Sequence, residues 1–592
     1  MPESHPGGST PKFSTSVLLG VVLAATLLVY LGTLQFEFVY DDLGQIVSNP
    51  VVQNWKYVPL MFRGNVWMQQ LAIGNYYRPL FLLWLLVNHT LFGLHPAWWH
   101  LTTVLAHVAA TAMVFALALR LTGERRAAFI AALLFGLHPV HLEAVAWISG
   151  APEPMLAVLL IAAFLAYLNY RERRQGRWLA ASLGAYALGL LSKETAVVLP
   201  GLLFAYEWLF NGGGESRWRR LLAGVRAVLP FVGLTVAYLG LRTWALHGLA
   251  HKTVNLPVRI ELLTIPSVLW FYLRLLVAPV GLSVFYDTPY VTHVGIRYFA
   301  LPLAGVVAAV ALLVWWWRRS RSALVGFASV WLLLPLLPLL NLSVLPMGDF
   351  VHDRYVYLPS VGFAMLAAMA ISKLEKVPTL SRQKRARQWW ATPVVVAVIA
   401  IAMAAGTVIQ SLPWANDIVL YYHGMAVAPN NDLPRNKLAA TLVLRGMYQE
   451  GINLYRVVLA NDPDYWYANY RMGYAQYMIG QYGEAERYLG RAVALQPAGD
   501  EFYYLGMARM QLGQPDGAAA AFEQAIRLQP QAAGYRYALG MALRKQGKLG
   551  PALEWFKAEL AGNPNNAEAR REAEEVQSSL RDSGAAAPRT QR

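Results

Sequence analysis

Hydrophobic residues in this chain gather in long runs that are apolar on every side, and the runs recur until about residue 412. Segments long enough to span a bilayer lie near 15–34, 98–120, 127–149, 152–170, 178–193, 194–211, 223–246, 298–317, 322–345, 355–372 and 391–412. Between them sit short basic clusters at Arg125-Arg126, Arg171 to Arg177, Arg217 to Arg220, Arg318 to Arg321 and Lys373 to Arg387. If all five clusters are cytoplasmic, the eleven runs alternate consistently, with the N-terminus inside and everything beyond Pro413 outside. One further apolar run, Leu262 to Val280, would break the alternation by crossing, so a re-entrant or interfacial helix is predicted there. Met1 to Phe13 lacks a convincing cleavage site, and the first run reads as an uncleaved span.

Composition agrees with the pattern. Of 592 residues, 56% are hydrophobic and only 14% charged, which excludes an ordinary soluble enzyme of this length. The net charge of +16 sits in the short loops and not on a separate surface, so it reports membrane orientation and argues against nucleic acid as a partner. Cysteine is absent, which rules out disulfides and thiolate metal sites.

From Asn430 onward the pattern changes. Pro463, Pro497, Pro530 and Pro564 recur at spacings of 34, 33 and 34, with Gly473, Gly506 and Gly540, and then Ala485, Ala518 and Ala552, at matching positions. Small residues at fixed offsets let paired helices approach, and the period is that of a tetratricopeptide repeat. Residues 430–463 read as a degenerate first repeat, with Ala439 and Gly451 at the small positions. The expected chain is therefore all-α: a polytopic membrane bundle over 1–412 with a first loop at 36–97, a linker at 413–429, an α-solenoid over 430–582, and a disordered tail at 583–592.

Ionisable residues at membrane ends are costly, and here they collect on the predicted outer face. Asp41 and Asp42 follow the first span directly. Arg78 lies in the same loop, within Tyr76-Tyr77-Arg78-Pro79-Leu80. His138, His141 and Glu143 lie where the third span emerges, and Lys193 and Glu194 form the next hairpin. His352, Asp353 and Arg354 close the set. Each group has a plain structural reading: solvated acids, a snorkelling arginine, a helix-end histidine network, a self-neutralising Lys-Glu turn. Histidine and glutamate together also permit a metal site. Five polar knots on one face read as one site.

The combination Val39-Tyr40-Asp41-Asp42, Tyr77-Arg78-Pro79-Leu80, His138-Pro139 through Trp147-Ile148-Ser149, Leu191-Ser192-Lys193-Glu194 and Asp353-Arg354-Tyr355 through Val361-Gly362 resembles the transmembrane-and-tetratricopeptide-repeat glycosyltransferases. These are GT-C-class relatives of the protein O-mannosyltransferases, and the likeness covers nearly the whole chain. One departure stands out: where many relatives carry an Arg and an Asp after Trp-Ile-Ser, this chain reads Ser149-Gly150-Ala151-Pro152-Glu153.

The resemblance implies a sugar donor on a polyprenyl phosphate and inverting transfer to an acceptor hydroxyl on protein. Asp41 is then the expected base, with Asp42 orienting the acceptor or a divalent metal. Arg78, Lys193 and Arg354 are the expected holders of the donor phosphate. His138, His141, Glu143, Glu194, His352 and Asp353 remain candidates for substrate or metal. A bacterial inner membrane is the expected setting, with the site and the repeats on the periplasmic side and an acceptor polypeptide or partner protein in the repeat groove. The competing expectations are a membrane-anchored scaffold with a decayed enzyme half, transfer to a lipid or glycan, and a transporter. The surface position of the charged groups argues against the last, because transport sites lie at mid-membrane.

Overall fold

The computed structural model describes residues 14–68, 74–210, 216–345, 348–374 and 382–585. Among these every regular element is helical. The chain divides into two compact units, which meet between Pro429 and Asn430.

In the first unit, eight helices are long and apolar enough to cross a bilayer: Thr15–Gln35, Pro96–Thr122, Ile148–Arg173, Arg217–Leu246, Val258–Val277, Ile296–Ser320, Ala323–Leu340 and Thr392–Ala415. A bent pair, Arg125–Leu137 and Pro139–Val145, supplies a ninth with a 51° break. Three of the runs read as spans form shorter helices, Gly176–Ser192, Leu199–Phe210 and Pro359–Leu374. Local chemistry sets many of the ends. Ser14 caps the first helix by accepting from Val17 N, and proline opens those at Pro79, Pro96 and Pro152, where its missing N–H is no loss. Basic residues close several, among them Arg174 and Arg321 in the left-handed region at φ 54° and 48°.

The 51° break falls at His138-Pro139. Proline cannot donate, and its ring excludes the preceding turn, so carbonyls are released inside the bundle. Neighbouring helices take them up: Thr407 Oγ1 donates to Leu137 O at 2.8 Å, and His107 Nε2 donates to Gly136 O at 3.2 Å.

The helix Val258–Val277, where a re-entrant or interfacial helix was expected, has the length and composition of a span. Near its start, Glu261 accepts from Leu342 N at 2.7 Å; at its end, Leu276 O accepts from His138 Nε2 at 3.0 Å. The loop before it is held to the first loop, where Asn75 Nδ2 donates to His251 O at 2.8 Å. Residues 413–429 form more than a tether. They contain the helix Asp417–Val427, and Asp417 accepts from Tyr40 N at 2.7 Å.

The second unit consists of four antiparallel helix pairs, beginning with Asp432–Leu444 and Tyr448–Asn461, and a closing helix Ala567–Ala585. The repeat glycines mark contact points. A Cβ at Gly506 or Gly540 would stand 2.5 Å from the ring of Phe522 or Phe556. The closing helix runs three residues into the stretch expected to be a disordered tail; the rest of that stretch, and much of the basic cluster Lys373 to Arg387, lie outside the described residues.

Candidate functional site

The first loop enters the site through a strained turn. Tyr40 has φ 56°, a conformation that costs a non-glycine residue about 1–2 kcal/mol and persists only where the surroundings hold it. Its N–H is held by Asp417, and its ring lies against Trp147 and Phe285, with centroids 5.7 and 5.6 Å away. The turn sends two adjacent carboxylates to different places. Asp41 is half-buried and lines a cavity of about 220 Å³. Asp42 is fully buried and does not line it. Its Oδ1 accepts from Ser149 N at 2.9 Å and Ser149 Oγ at 2.6 Å, and its Oδ2 accepts from Val39 N at 3.3 Å. Burial pushes the Asp42 carboxyl up to about 7, against the pull of these hydrogen bonds. Asp42, read from sequence as orienting the acceptor or a metal, instead ties the first loop to the turn at Ser149.

Arg78, Lys193 and Arg354 line the same cavity, and each is matched to a glutamate. Arg78 grips Glu194 in a two-point fork, Nε to Oε2 at 3.0 Å and Nη2 to Oε1 at 2.5 Å, and lies over the Tyr76 ring, 4.6 Å from its centroid. Lys193 pairs with Glu153, both almost wholly buried. Arg354 pairs with Glu143, whose Oε2 also accepts from Arg354 N at 2.9 Å; the guanidinium rests 5.2 Å from the Trp147 ring centroid. Such forks leave further guanidinium N–H groups to face a ligand. Helices starting at Pro79 and Pro152 open at the cavity wall, and their N-termini favour an anion there. Trp67, Tyr76, Trp147 and Tyr355 supply apolar faces.

Of the eleven residues named from sequence, the cavity lining includes Asp41, Arg78, Lys193, His352 and Arg354. Glu143 and Glu194 stand behind it as ion partners. His352 lies between Glu143 and Asp349, at 3.4 and 3.5 Å. Asp353 accepts from the Tyr286 hydroxyl at 2.5 Å, and burial beside Glu143 drives its carboxyl well above the usual range. The two helix-break histidines turn into the bundle. His138 bonds Leu276 O, and His141 Nε2 lies 2.9 Å from Ser360 Oγ. His138, His141 and Glu143, the candidate metal set, are thus dispersed onto three different partners. Among the described residues no three His, Asp or Glu side chains are grouped to hold a metal. These residues do not fit a metal site.

Sequence reasoning did not assign Glu153, Asp349, Ser149 or the aromatic walls to the site. The placing of Glu153 in the first turn of a proline-led helix was its available signal. Nothing local marks Asp349.

A family model described as dolichyl-phosphate-mannose-protein mannosyltransferase matches residues 77–239, and two tetratricopeptide-repeat models match 442–508 and 503–567. The chain is 24% identical over 454 residues to Protein O-mannosyl-transferase F38B6.6 of Caenorhabditis elegans, covering 75% of this chain and 63% of that one. It is 28% identical over 513 residues to Protein O-mannosyl-transferase TMTC1 of Homo sapiens, covering 77% and 56%. The chain thus spans under two thirds of the length of these relatives. Among solved structures, YrrB, a TPR protein with an unusual peptide-binding site, matches 27% of this chain and 84% of its own at 24% identity, with a TM-score of 0.26.

Proposed function

With protein O-mannosyl-transferases of the transmembrane-and-tetratricopeptide-repeat type as its homologues, we propose that this integral membrane protein is a GT-C-type glycosyltransferase. Its donor is a sugar, mannose first among candidates, carried on a polyprenyl phosphate, and its acceptor is a polypeptide hydroxyl. The observation that carries the reading is the convergence of Asp41 with Arg78, Lys193 and Arg354 on one cavity.

Asp41 takes the proton of the acceptor hydroxyl as its oxygen attacks the anomeric carbon. The bond from that carbon to the phosphate oxygen breaks with inversion, and the electron pair leaves with the polyprenyl phosphate. The leaving phosphate gains negative charge as it departs, and three permanent cations stand ready to hold it. The cavity, about 220 Å³, is smaller than the roughly 300–1,000 Å³ of drug-sized pockets and suits a single sugar ring, with the prenyl tail left in the bilayer. The basic loops support an extracytoplasmic site.

The test is Asp41→Asn in the purified full chain, incubated with a polyprenyl-phosphate sugar and an acceptor polypeptide. Transfer falls at least about a hundredfold, the lower scale for a lost catalytic base. Turnover close to the parent rate rejects Asp41 as the base.

A further inference from the structure

The two edges of the repeat unit differ in character. Because each helix pair is antiparallel, the turns inside pairs all fall on one edge and the turns between pairs on the other. The inner turns share one geometry, each carrying a glycine at positive φ: Gly446, Gly480, Gly513 and Gly547, at 80°, 77°, 71° and 76°. Residues beside these glycines are therefore equivalently placed along the edge. In the first three pairs they are exposed and apolar: Leu444 at 69%, Met447 at 41%, Met478 at 43%, Ile479 at 38% and Leu512 at 38%. Those five account for most of the eight large apolar side chains exposed among the described residues from 430 onward. In the fourth pair the same places hold Lys545, Gln546 and Lys548. The opposite edge is polar at its two ends, reading Asn461-Asp462-Pro463-Asp464 and Asn563-Pro564-Asn565-Asn566, and carries one exposed leucine in each middle turn, Leu495 at 36% and Leu528 at 42%.

We propose that this apolar edge of the first three repeats rests on the lipid bilayer, at the boundary between headgroups and acyl chains. The occupant follows from where the apolar residues lie. Two apolar side chains mark each of the first two turns, one marks the third and none the fourth, so the apolar character fades with distance along the chain from Thr392–Ala415, the last membrane helix. A membrane tethered at one end of the solenoid presents itself in that order; a separate protein partner has no reason to. The side chains are unbranched or branched aliphatics at turn tips, with half-buried Tyr448 and Tyr482 next to them, the composition of a shallow interfacial contact. Glu450, Glu484 and Asp516 stand a few residues further along each second helix, which limits the depth to the turns themselves. They also make the contact apolar and not electrostatic, so it holds on zwitterionic lipid. The tether makes weak partitioning sufficient, because the edge meets the bilayer at high effective concentration.

The absence of cysteine allows a direct test, since any introduced thiol is unique. Ile479→Cys, Leu512→Cys, Gln546→Cys and Asn565→Cys are labelled one at a time with an environment-sensitive fluorophore, in the full chain reconstituted into phosphatidylcholine vesicles. Labels at 479 and 512 shift to the blue and are quenched at least about twofold by lipids carrying a nitroxide near the headgroup, as expected for an interfacial side chain. Labels at 546 and 565 are not quenched. Exposed turn positions leave the core intact, and a helical melt unchanged from the parent verifies this for each variant. Lack of quenching at both 479 and 512 overturns the proposal. So does a blue shift there without lipid quenching, which assigns the edge to a protein surface.

Discussion

Asp42 gives the sharpest test of how the first loop is held. Asp42→Asn keeps the shape of the side chain and removes its charge. The amide oxygen can still accept from Ser149, but the amide nitrogen then faces Val39 N, donor against donor, where the carboxylate accepted at 3.3 Å. At pH 5 the folded carboxyl is protonated, so the bond lost there is a neutral one, worth about 0.5–1.5 kcal/mol. Burial acts in the other direction. It has raised Asp42 to about 7 from an ordinary 3.8, so the folded protein binds this proton more tightly than the unfolded chain does. Between those two values the parent's stability falls as pH rises, and above about 7 it levels off. From pH 5 to pH 8 the parent loses about 3 kcal/mol that the asparagine variant keeps, at about 1.4 kcal/mol for each pH unit up to the folded pKa. The variant is therefore the less stable protein at pH 5, by about 1 kcal/mol, and the more stable one at pH 8, by about 2 kcal/mol. Melting curves of both proteins in one detergent at pH 5, 6.5 and 8 measure the crossing. Transfer by the variant falls about tenfold to a hundredfold at pH 8, because the turn that presents Asp41 is no longer held at Val39 N. A melting difference constant across pH refutes the titration, and normal transfer refutes the clamp.

Arg78→Lys supplies charge without the planar fork and retains part of the transfer with weakened donor affinity, whereas Arg78→Ala loses nearly all; initial rates against donor concentration separate both from an arginine that only snorkels, for which the curves do not change. Glu153→Gln strands the buried Lys193 ammonium and costs roughly 3–5 kcal/mol in a melt, while the double variant Glu153→Leu with Lys193→Met recovers much of that stability yet stays inactive. Equal activity in the double variant removes Lys193 from the site. Gly540→Ala drives a methyl against Phe556 and lowers the melting of the repeats by about 1–3 kcal/mol, in spite of alanine's better helix propensity of up to about 1 kcal/mol. A stabilised variant would mean that the ring yields.

Much of this architecture is legible in the chain because lipid and repetition both write long patterns. A helix in a bilayer must be apolar on all sides, and a solenoid must repeat its small residues at contact points such as Gly506 and Gly540. The site was harder. Asp41 and Asp42 are chemically identical neighbours, and what parts them is the left-handed backbone of Tyr40, which rests on Asp417, far along the chain. Glu143 and Glu194 read as possible ligands because their residue type suits a metal; only the fold shows each bound to an arginine. Glu153 was visible as a departure from its relatives, but its buried lysine partner required the packing of two helices.

The pairing of every cation in the cavity with a glutamate has a consequence for selectivity. Three cations and the carboxylates of Asp41, Glu153 and Asp349 face the same small space, and Glu143 and Glu194 stand in contact with the two arginines behind it. At the range of a Debye length the mouth therefore carries no net positive charge, and inorganic phosphate or sulfate drifting in the surrounding water meets no attraction. Competition from free anions is excluded without a gate. On the proposed function, the phosphate that gains entry is the one delivered laterally, by a tail already dissolved beside the opening.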